Sequence, residues 1–453
     1  MIPPRPDPAP PGRRLVGIAR AFRRDLLSAL PDKLYRAWMA EFRSPLIRSV
    51  LCNDPALVRL VLSERPRDFP KSDRLREGLA PLLGQSVFVT NGEVWARQRR
   101  IIDPAFEGGR IRDTWPAMWQ ASRAATARLA DASGTEIDVE PETSHAAADV
   151  IFRTLFSMPI EHRIAGQVFA AFRAHQDAQP LVNPAALIPM PRWVPRWHSR
   201  RTRTTAATIR GLIGDLVAAR ARAIAQGTAP DDLATKIMTT PDPVTGRCFS
   251  DREMVDQVAI FFLAGHETSA SALAWALWLL AASPAWQDRV ATEAADALDA
   301  TGEQPAFAAV SRLRTARAVF REAMRLYPPV PMMVRQTTRP ETLRGRPLPR
   351  GTQVVLSPWH LHRHQRLWDN PDGFDPGRWD TPNGRACARD AYIPFSAGQR
   401  VCPGAGFAMI EGPLMLAMIC RDLRLSRGQA DPVPVARLTV RGRDGIRVRI
   451  DRR

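Results

Sequence analysis

Cys402 stands in Phe395-Ser-Ala-Gly398-Gln-Arg400-Val-Cys402-Pro-Gly404, with a glycine four positions before it and another two after, and a helical run follows from about Ala405 to Leu423. Glycines let a backbone turn tightly and approach a flat ligand closely. Amide donors and positive partial charge at a helix start favour thiolate over thiol. On these residues alone, Cys402 is either a ligand on such a loop or a small buried apolar side chain, the usual fate of a free cysteine.

A second group with chemical potential is Ala264-Gly265-His266-Glu267-Thr268-Ser269, set between the apolar runs Val258 to Leu263 and Ala270 to Ala282. Thr268 can turn its hydroxyl back to the carbonyl of Ala264, a contact that bends helices and makes room for a ligand or water. An acid beside a hydroxyl inside an apolar helix is costly unless it is used. His266 points elsewhere on the helix and reads as structural. Glu322 and Arg325 share one helical face at i and i+3, and Trp95 and Arg99 share another at i and i+4.

These residues need elements to hold them. Ser250-Asp-Arg-Glu253 has capping-box spacing and Pro284 discourages continuation, so a helix is predicted from Ser250 to about Ser283. Being apolar all round, it should cross the interior. Helical segments dominate up to about Arg325. After Pro328 come short extended pieces at Thr352 to Ser357, Ala436 to Val440 and Ile446 to Ile450. The predicted class is mainly α with a smaller β portion. Residues 1–30 read as a proline-rich N-terminus and an amphipathic helix from Leu15 to Leu30, either docked on the body or lying on an anionic membrane. Residues 31–453 read as a single catalytic domain, with no repeat or long Gly/Ser linker.

Composition narrows the classes. In 453 residues, 45% apolar and 24% charged side chains indicate a folded, water-soluble body and exclude collagen-like, disordered and polytopic membrane chains. The net charge of +18 is almost wholly arginine, the lysines being Lys33, Lys71 and Lys236. These charges are scattered, without zinc-finger spacing or an RNA-binding aromatic signature, so nucleic acid is not an expected partner. Five cysteines without a C-x-x-C pair make neither a disulfide framework nor a zinc site, which suits a reducing, cytoplasmic location. The N-terminus lacks the apolar region of a secretory signal, and no stretch reaches the ~18 apolar residues of a spanning helix.

The loop pattern F-x-x-G-x-R-x-C-x-G resembles the haem-binding signature of the cytochrome P450 family at every specified position. The six residues from Ala264 resemble that family's oxygen-activation motif, with serine last. Glu322-Ala-Met-Arg325 with Phe374-Asp-Pro-Gly-Arg378-Trp379 resembles its E-x-x-R helix and partner arginine loop, and Trp95 to Arg99 its W-x-x-x-R segment. The resemblance runs in five ordered blocks from about residue 85 to 410. It implies the P450 fold, with a long central helix over a haem, and a noncovalent haem b (iron protoporphyrin IX), since the C-x-x-C-H of covalent haem c is missing.

By the same resemblance Cys402 is the axial ligand of the iron and Phe395 lies against the ligand loop, whose glycines are Gly398 and Gly404. Trp95, Arg99, Arg335 and Arg400 reach haem propionates. Glu267 and Thr268 handle protons for activation of the co-substrate dioxygen, and Glu322, Arg325 and Arg378 form a structural ion network. The implied activity is a haem-thiolate monooxygenase that hydroxylates or epoxidises a lipophilic molecule. Pocket candidates are Val87, Phe88, Val89, Phe261, Ala264, Val330, Met332, Met333 and Val334, almost all apolar.

About fifty residues follow the ligand loop, so electrons are expected from a separate ferredoxin or flavodoxin with its reductase, docked on Arg97 and Arg100. A monomer is expected. Between Pro191 and Ala225 eight arginines stand against one acid, Asp215, with Trp193 and Trp197 nearby. By resemblance this is a lid over the substrate entrance, and its composition suits either peripheral membrane contact or a solvated basic helix. His360, His362 and His364 read as packed or solvated, without a second metal. Two other readings are a peroxide-using peroxygenase of the same fold and a non-catalytic haem sensor or carrier. Replacement of Cys402 by serine is expected to abolish both the thiolate-type absorption of the reduced carbonyl complex and oxidative turnover. Survival of both would overturn the haem-thiolate reading.

Overall fold

The computed structural model describes residues 1–7, 25–43, 48–178, 198–298 and 304–453. Its longer helices, in chain order, are α1 Asp73–Leu83, α2 Gly92–Ile102, α3 Trp115–Asp131, α4 Val139–Phe156, α5 Arg163–Ala178, α6 Arg200–Ala225, α7 Asp251–Ala281, α8 Pro284–Ala297, α9 Arg314–Leu326 and α10 Ala405–Asp422. The strands are β1 Met39–Arg43, β2 Arg48–Cys52, β3 Thr135–Asp138, β4 Met333–Gln336, β5 Glu341–Leu343, β6 Arg346–Leu348, β7 Gln353–Leu356, β8 Leu423–Arg427, β9 Pro434–Ala436, β10 Val440–Gly442 and β11 Arg447–Arg452. The class is mainly α with a smaller β portion.

At 31 residues, α7 is about 46 Å long at 1.5 Å per residue. Its capping box forms as the sequence predicts: Ser250 Oγ accepts from the Glu253 amide, and Glu253 Oε2 accepts from the Ser250 amide at 2.9 Å. The helix is buried over most of its length because α4, α6, α9 and α10 pack around it. Trp275 stacks on Tyr327 at 3.8 Å between ring centres and donates from Nε1 to the Val440 carbonyl. The one stretch with accessible surface in its middle is Phe261, Ala264, Gly265 and Thr268, a stripe at helical spacing.

The largest sheet has the order β1-β2-β7-β4, with β2 and β7 parallel and Arg335 of β4 opposite Val354 of β7. A second sheet has the order β3-β11-β8, and β5-β6 and β9-β10 form hairpins. Strands β1, β2 and β3 fall in the stretch that the sequence reads as helical. They are short and only partly buried on mixed faces; β1 pairs with β2, while β2 and β3 are held by partners about 300 residues away, so no local alternation announces them.

Behind the sheet, Glu322 Oε1 accepts from Arg325 Nη2 at 2.8 Å and from Arg378 Nε at 2.9 Å, with all three side chains buried. One carboxylate cannot satisfy two guanidinium groups. The remaining donors go to main-chain carbonyls: Arg325 to His362, Pro371 and Gly373, and Arg378 to Asp369, Asn370 and Gly373. The network thereby fixes the course of the chain from 362 to 378. The N-terminal residues are tied to the same region, with Tyr327 Oη donating to the Pro4 carbonyl and the Phe374 amide to that of Met1.

Most of the segment Leu15 to Leu30 lies outside the described residues. Its described end is a turn in which Asp25 accepts from the amides of Leu27 and Ser28, and Leu27 and Leu30 are buried against the body. Trp193 and Trp197 also lie outside the described residues. His360, His362 and His364 are buried around and after the short helix Pro358–Leu361, and burial holds the first two down to a pKa of about 3 and the third to about 4. His362 Nε2 accepts from the Ile393 amide, and His364 stacks on Trp38. Among the described residues, no helix is long and apolar enough to cross a membrane. Substitution of Glu322 by alanine leaves two guanidinium groups buried without their counter-charge and is expected to cost about 3–5 kcal/mol, read as a lowered urea midpoint.

Candidate active site

The Cys402 loop is shaped by backbone that only certain residues tolerate. Gly398 has φ +64°, and a Cβ there would sit 2.2 Å from the Leu62 carbonyl oxygen, so glycine is required on both counts. The Cys402 amide donates to the Phe395 carbonyl at 2.9 Å, closing the loop, and Gly404 caps α10. Cys402 keeps accessible surface on one side while protein surrounds it on the others. Burial raises the thiol above its ordinary value, opposed by the Gly404 amide and the charge of Arg99.

Beside this loop Trp95 is ringed by cations, with Arg400 5.2 Å, Lys71 5.8 Å and Arg99 6.0 Å from its ring centre. Arg335 on β4 adds a fourth, bridged through its backbone to Lys71. Asn91 holds the group together: its Oδ1 accepts from Arg400 Nη1 and from the Lys71 amide, both at 3.0 Å, and its Nδ2 donates to the Lys71 carbonyl. Lys71 Nζ donates to the carbonyls of Val87 and Thr90. Arg99 pairs with Asp103 and donates to the Val401 carbonyl at 2.7 Å, supporting the residue next to Cys402.

Among the described residues, Lys71, Arg335 and Arg400 form no ion pair. Burial, and then the positive charges of Arg400, Arg335 and Arg99, hold Lys71 well below the usual lysine range; burial and Arg400 lower Arg335 to about 10. The buried Nε of Arg335 has no partner. Buried cations crowded together call for an anion. With a cysteine opening onto the same region, the residues fit a porphyrin that carries two carboxylates and takes a sulfur ligand. Sequence reasoning missed Lys71 and Asn91. The available signal was that Lys71 is one of three lysines in a chain that otherwise uses arginine.

On α7, Thr268 Oγ1 donates to the Ala264 carbonyl at 2.6 Å, and Phe261, Ala264 and Thr268 retain accessible surface. Glu267 faces the other way. It is buried, and burial lifts its carboxyl to about 7 against the pull of Arg441. The next residue, Ser269, donates to Glu411 Oε2 on α10 at 3.0 Å, and burial raises Glu411 to about 8. The structure therefore places the acid and the alcohol of the motif on different faces of one helix.

Of the pocket candidates, Val330, Met332, Met333 and Val334 are half-buried on the approach to and along β4. Phe261 lies 5.8 Å from Phe106 between ring centres. Val87 and Val89 are packed into the core, whereas Phe88 between them is 38% exposed. The two arginines expected to receive a redox partner are internally engaged. Arg97 bonds Glu253 and the Cys248 carbonyl, and Arg100 bonds the fully buried Asp242 and Glu93. Both stitch α2 to the segment before α7. Among the described residues Arg112 makes no hydrogen bond or ion pair and lies over the Phe307 ring; it is exposed on the short helix Gly108–Asp113, whose Ile111 abuts Gly406 at the start of α10.

Comparison with known proteins agrees with this geometry. The cytochrome P450 family model matches residues 25–444. The chain is 34% identical over 430 residues to cyclooctat-9-en-7-ol 5-monooxygenase of Streptomyces melanosporofaciens, covering 94% of this chain and 90% of that protein. It is 32% identical to cyclooctatin synthase of the same organism, over 96% and 92% of the two chains, and 32% identical to pentalenene oxygenase of Streptomyces avermitilis, over 88% and 87%. The crystal structure of the cytochrome P450DA heme domain superposes with a TM-score of 0.82 at 23% identity, covering 100% of this chain and 98% of that one. A cysteine loop at a helix start, a cation cluster without its anion, a buried E-x-x-R network and these likenesses together show that the chain belongs to the cytochrome P450 family and is a haem-dependent monooxygenase.

Proposed function

We propose that this monooxygenase hydroxylates or epoxidises an uncharged, largely hydrocarbon ring compound, with electrons from a separate ferredoxin or flavodoxin. The observation that carries the haem assignment is the group Lys71, Arg335 and Arg400 beside Cys402, with Arg335 buried, the other two half-buried, and no acid paired with any of them among the described residues. Haem b, when bound, supplies the electron transfer and the insertion of oxygen. The chain's own residues do the rest.

Cys402 at the start of α10 provides a sulfur whose negative charge is favoured by the Gly404 amide and by Arg99. Lys71, Trp95, Arg335 and Arg400 hold the propionates, and Arg99 secures the Val401 carbonyl next to the ligand. Phe395 flanks the loop, and Gly398 and Gly404 set its course. Thr268 presents its hydroxyl to the cavity, and Glu267 stores a proton near neutral pH. Glu322, Arg325 and Arg378 hold the chain behind the site.

The substrate class rests on the pocket and the relatives. Phe261, Ala264, Val330, Met332, Met333, Val334 and Phe88 offer apolar surface, and none can anchor a carboxylate, so affinity comes from burial at roughly 25 cal/mol per Å². The relatives' names specify a cyclic olefinic alcohol and pentalenene, both of which fit such a lining. For the electron donor, an acidic partner face fits Arg112 on the cysteine side better than Arg97 or Arg100.

Two measurements test these assignments. Lys71→Met and Arg335→Met are each expected to speed haem loss to an acceptor protein by about tenfold, the scale of one lost charge-assisted hydrogen bond. Unchanged retention in both would remove them from the haem site. Arg112→Glu is expected to slow the first electron transfer from an acidic ferredoxin several-fold at low salt, with the difference vanishing at high salt. An unchanged rate would place the docking face elsewhere.

A further inference from the structure

Glu267 is surrounded by an arrangement that the oxygen-activation motif does not contain. Gln176 on α5 donates from Nε2 to Glu267 Oε1, and the same amide nitrogen lies 3.2 Å from His266 Nε2. Its Oε1 accepts from Arg441 Nη2 of β10 at 3.4 Å, and Arg441 Nη2 itself reaches Glu267 Oε1 at 3.8 Å. The donor pattern fixes the orientations. His266 Nδ1 lies 2.6 Å from the Phe262 carbonyl, which can only accept, so the proton is on Nδ1 and Nε2 is an acceptor. The Gln176 NH2 group then serves two acceptors while its oxygen meets a cation. Turning the amide over would break all three contacts.

We infer that Gln176 and Arg441 are positioning residues for Glu267, holding its carboxyl against the junction of α5 with the C-terminal hairpin, and that this junction is where its proton is replaced from solvent. The inference rests on the proton-donor role proposed above for Glu267. Arg441 is suited to the inlet because a third of its side chain is exposed while that of Glu267 is almost fully enclosed. When Glu267 gives up its proton, the carboxylate left behind faces Arg441, and water reaching Arg441 restores the proton. Because Gln176 belongs to α5 and Arg441 to β10, three separate elements must be seated together for the carboxyl to be held.

The charged groups around the carboxyl support one sign of pH dependence. Gln176 and His266 are neutral, His266 being held by burial to about 4. From α4, Glu140 accepts from the Gly442 amide at 3.0 Å and thereby seats the strand carrying Arg441; burial raises Glu140 to about 7. His145 on the same helix is screened from His266 by Phe169. From α10, Glu411 bonds Ser269 instead. Arg441 is thus the charge that pulls Glu267 toward ionisation, against burial. Removing it must raise the pH at which the carboxyl loses its proton.

The test is infrared titration of the haem-loaded enzyme, following the protonated-carboxyl stretching band that disappears in Glu267→Gln. The parent should titrate with a midpoint of about 7. Arg441→Met should raise that midpoint by about one pH unit or more, Gln176→Leu should move it in the same direction, and Arg441→Lys should restore it. In turnover, the product formed per electron pair should fall by about tenfold in the first two variants, with a larger solvent isotope effect. An unmoved midpoint in both variants overturns the inference whatever the enzyme does. Parental coupling in Glu267→Gln overturns instead the proton-donor role above, on which the infrared midpoint does not depend.

Discussion

The fold around the cysteine loop is constrained by positive charge that it buries and cannot itself neutralise. Lys71, Arg335 and Arg400 come from three regions of the chain; Lys71 and Arg400 meet over Trp95, and among the described residues the three bond to carbonyls and one side-chain amide, not to an acid. Burial, and after it the repulsion of like charges in a poorly hydrated space, depresses Lys71 and Arg335. Such an arrangement is stable only when its geometry is imposed from outside. Asn91 imposes part of it by bonding both Arg400 and the Lys71 backbone, and the β4–β7 pairing imposes the rest by fixing Arg335. An anionic cofactor would relieve the repulsion, so binding and stability are coupled through one cluster.

The E-x-x-R network solves the opposite problem. There the two guanidinium groups have an internal carboxylate, and their surplus donors are spent on the carbonyls of residues 362 to 373. The irregular chain from Pro358 to Arg378 thereby becomes as well defined as a helix, although it has little regular structure of its own. This stretch, with Trp368, Trp379 and Ile393, packs under the main sheet and carries the chain toward the cysteine loop. One cluster therefore holds a ligand site ready, and the other holds the scaffold beneath it.

Around the buried side of α7 the ionisable groups are of the other sign. Glu267 and Glu411 are enclosed, Glu140 is half-buried, and burial lifts all three toward or above neutral pH. Buried carboxyls that keep their protons at neutral pH act as donors without placing a naked charge in the core. Glu267 has an arginine within reach and Glu411 has only a serine, which accounts for the order of their values.

The sequence by itself determined the local chemistry. The glycines and cysteine of the 395–404 loop, the capping box and apolar run of α7, the Thr268 hydroxyl turned to Ala264, and the i, i+3 pair Glu322–Arg325 all follow from spacing within one segment, which backbone sterics and helical periodicity make readable. Tertiary structure decided what met across segments. Strands β2 and β3 exist because partners some 300 residues distant complete them, and β1 forms against β2 at the edge of that sheet. Arg97 and Arg100 turned inward because Glu253 and Asp242 came within reach. Asn91 joined Lys71 to Arg400, and Gln176 and Arg441 closed on Glu267, through contacts that span as many as 309 residues of chain. No periodicity connects such positions; their pairing is settled only when the core has packed and each buried polar group must find a partner.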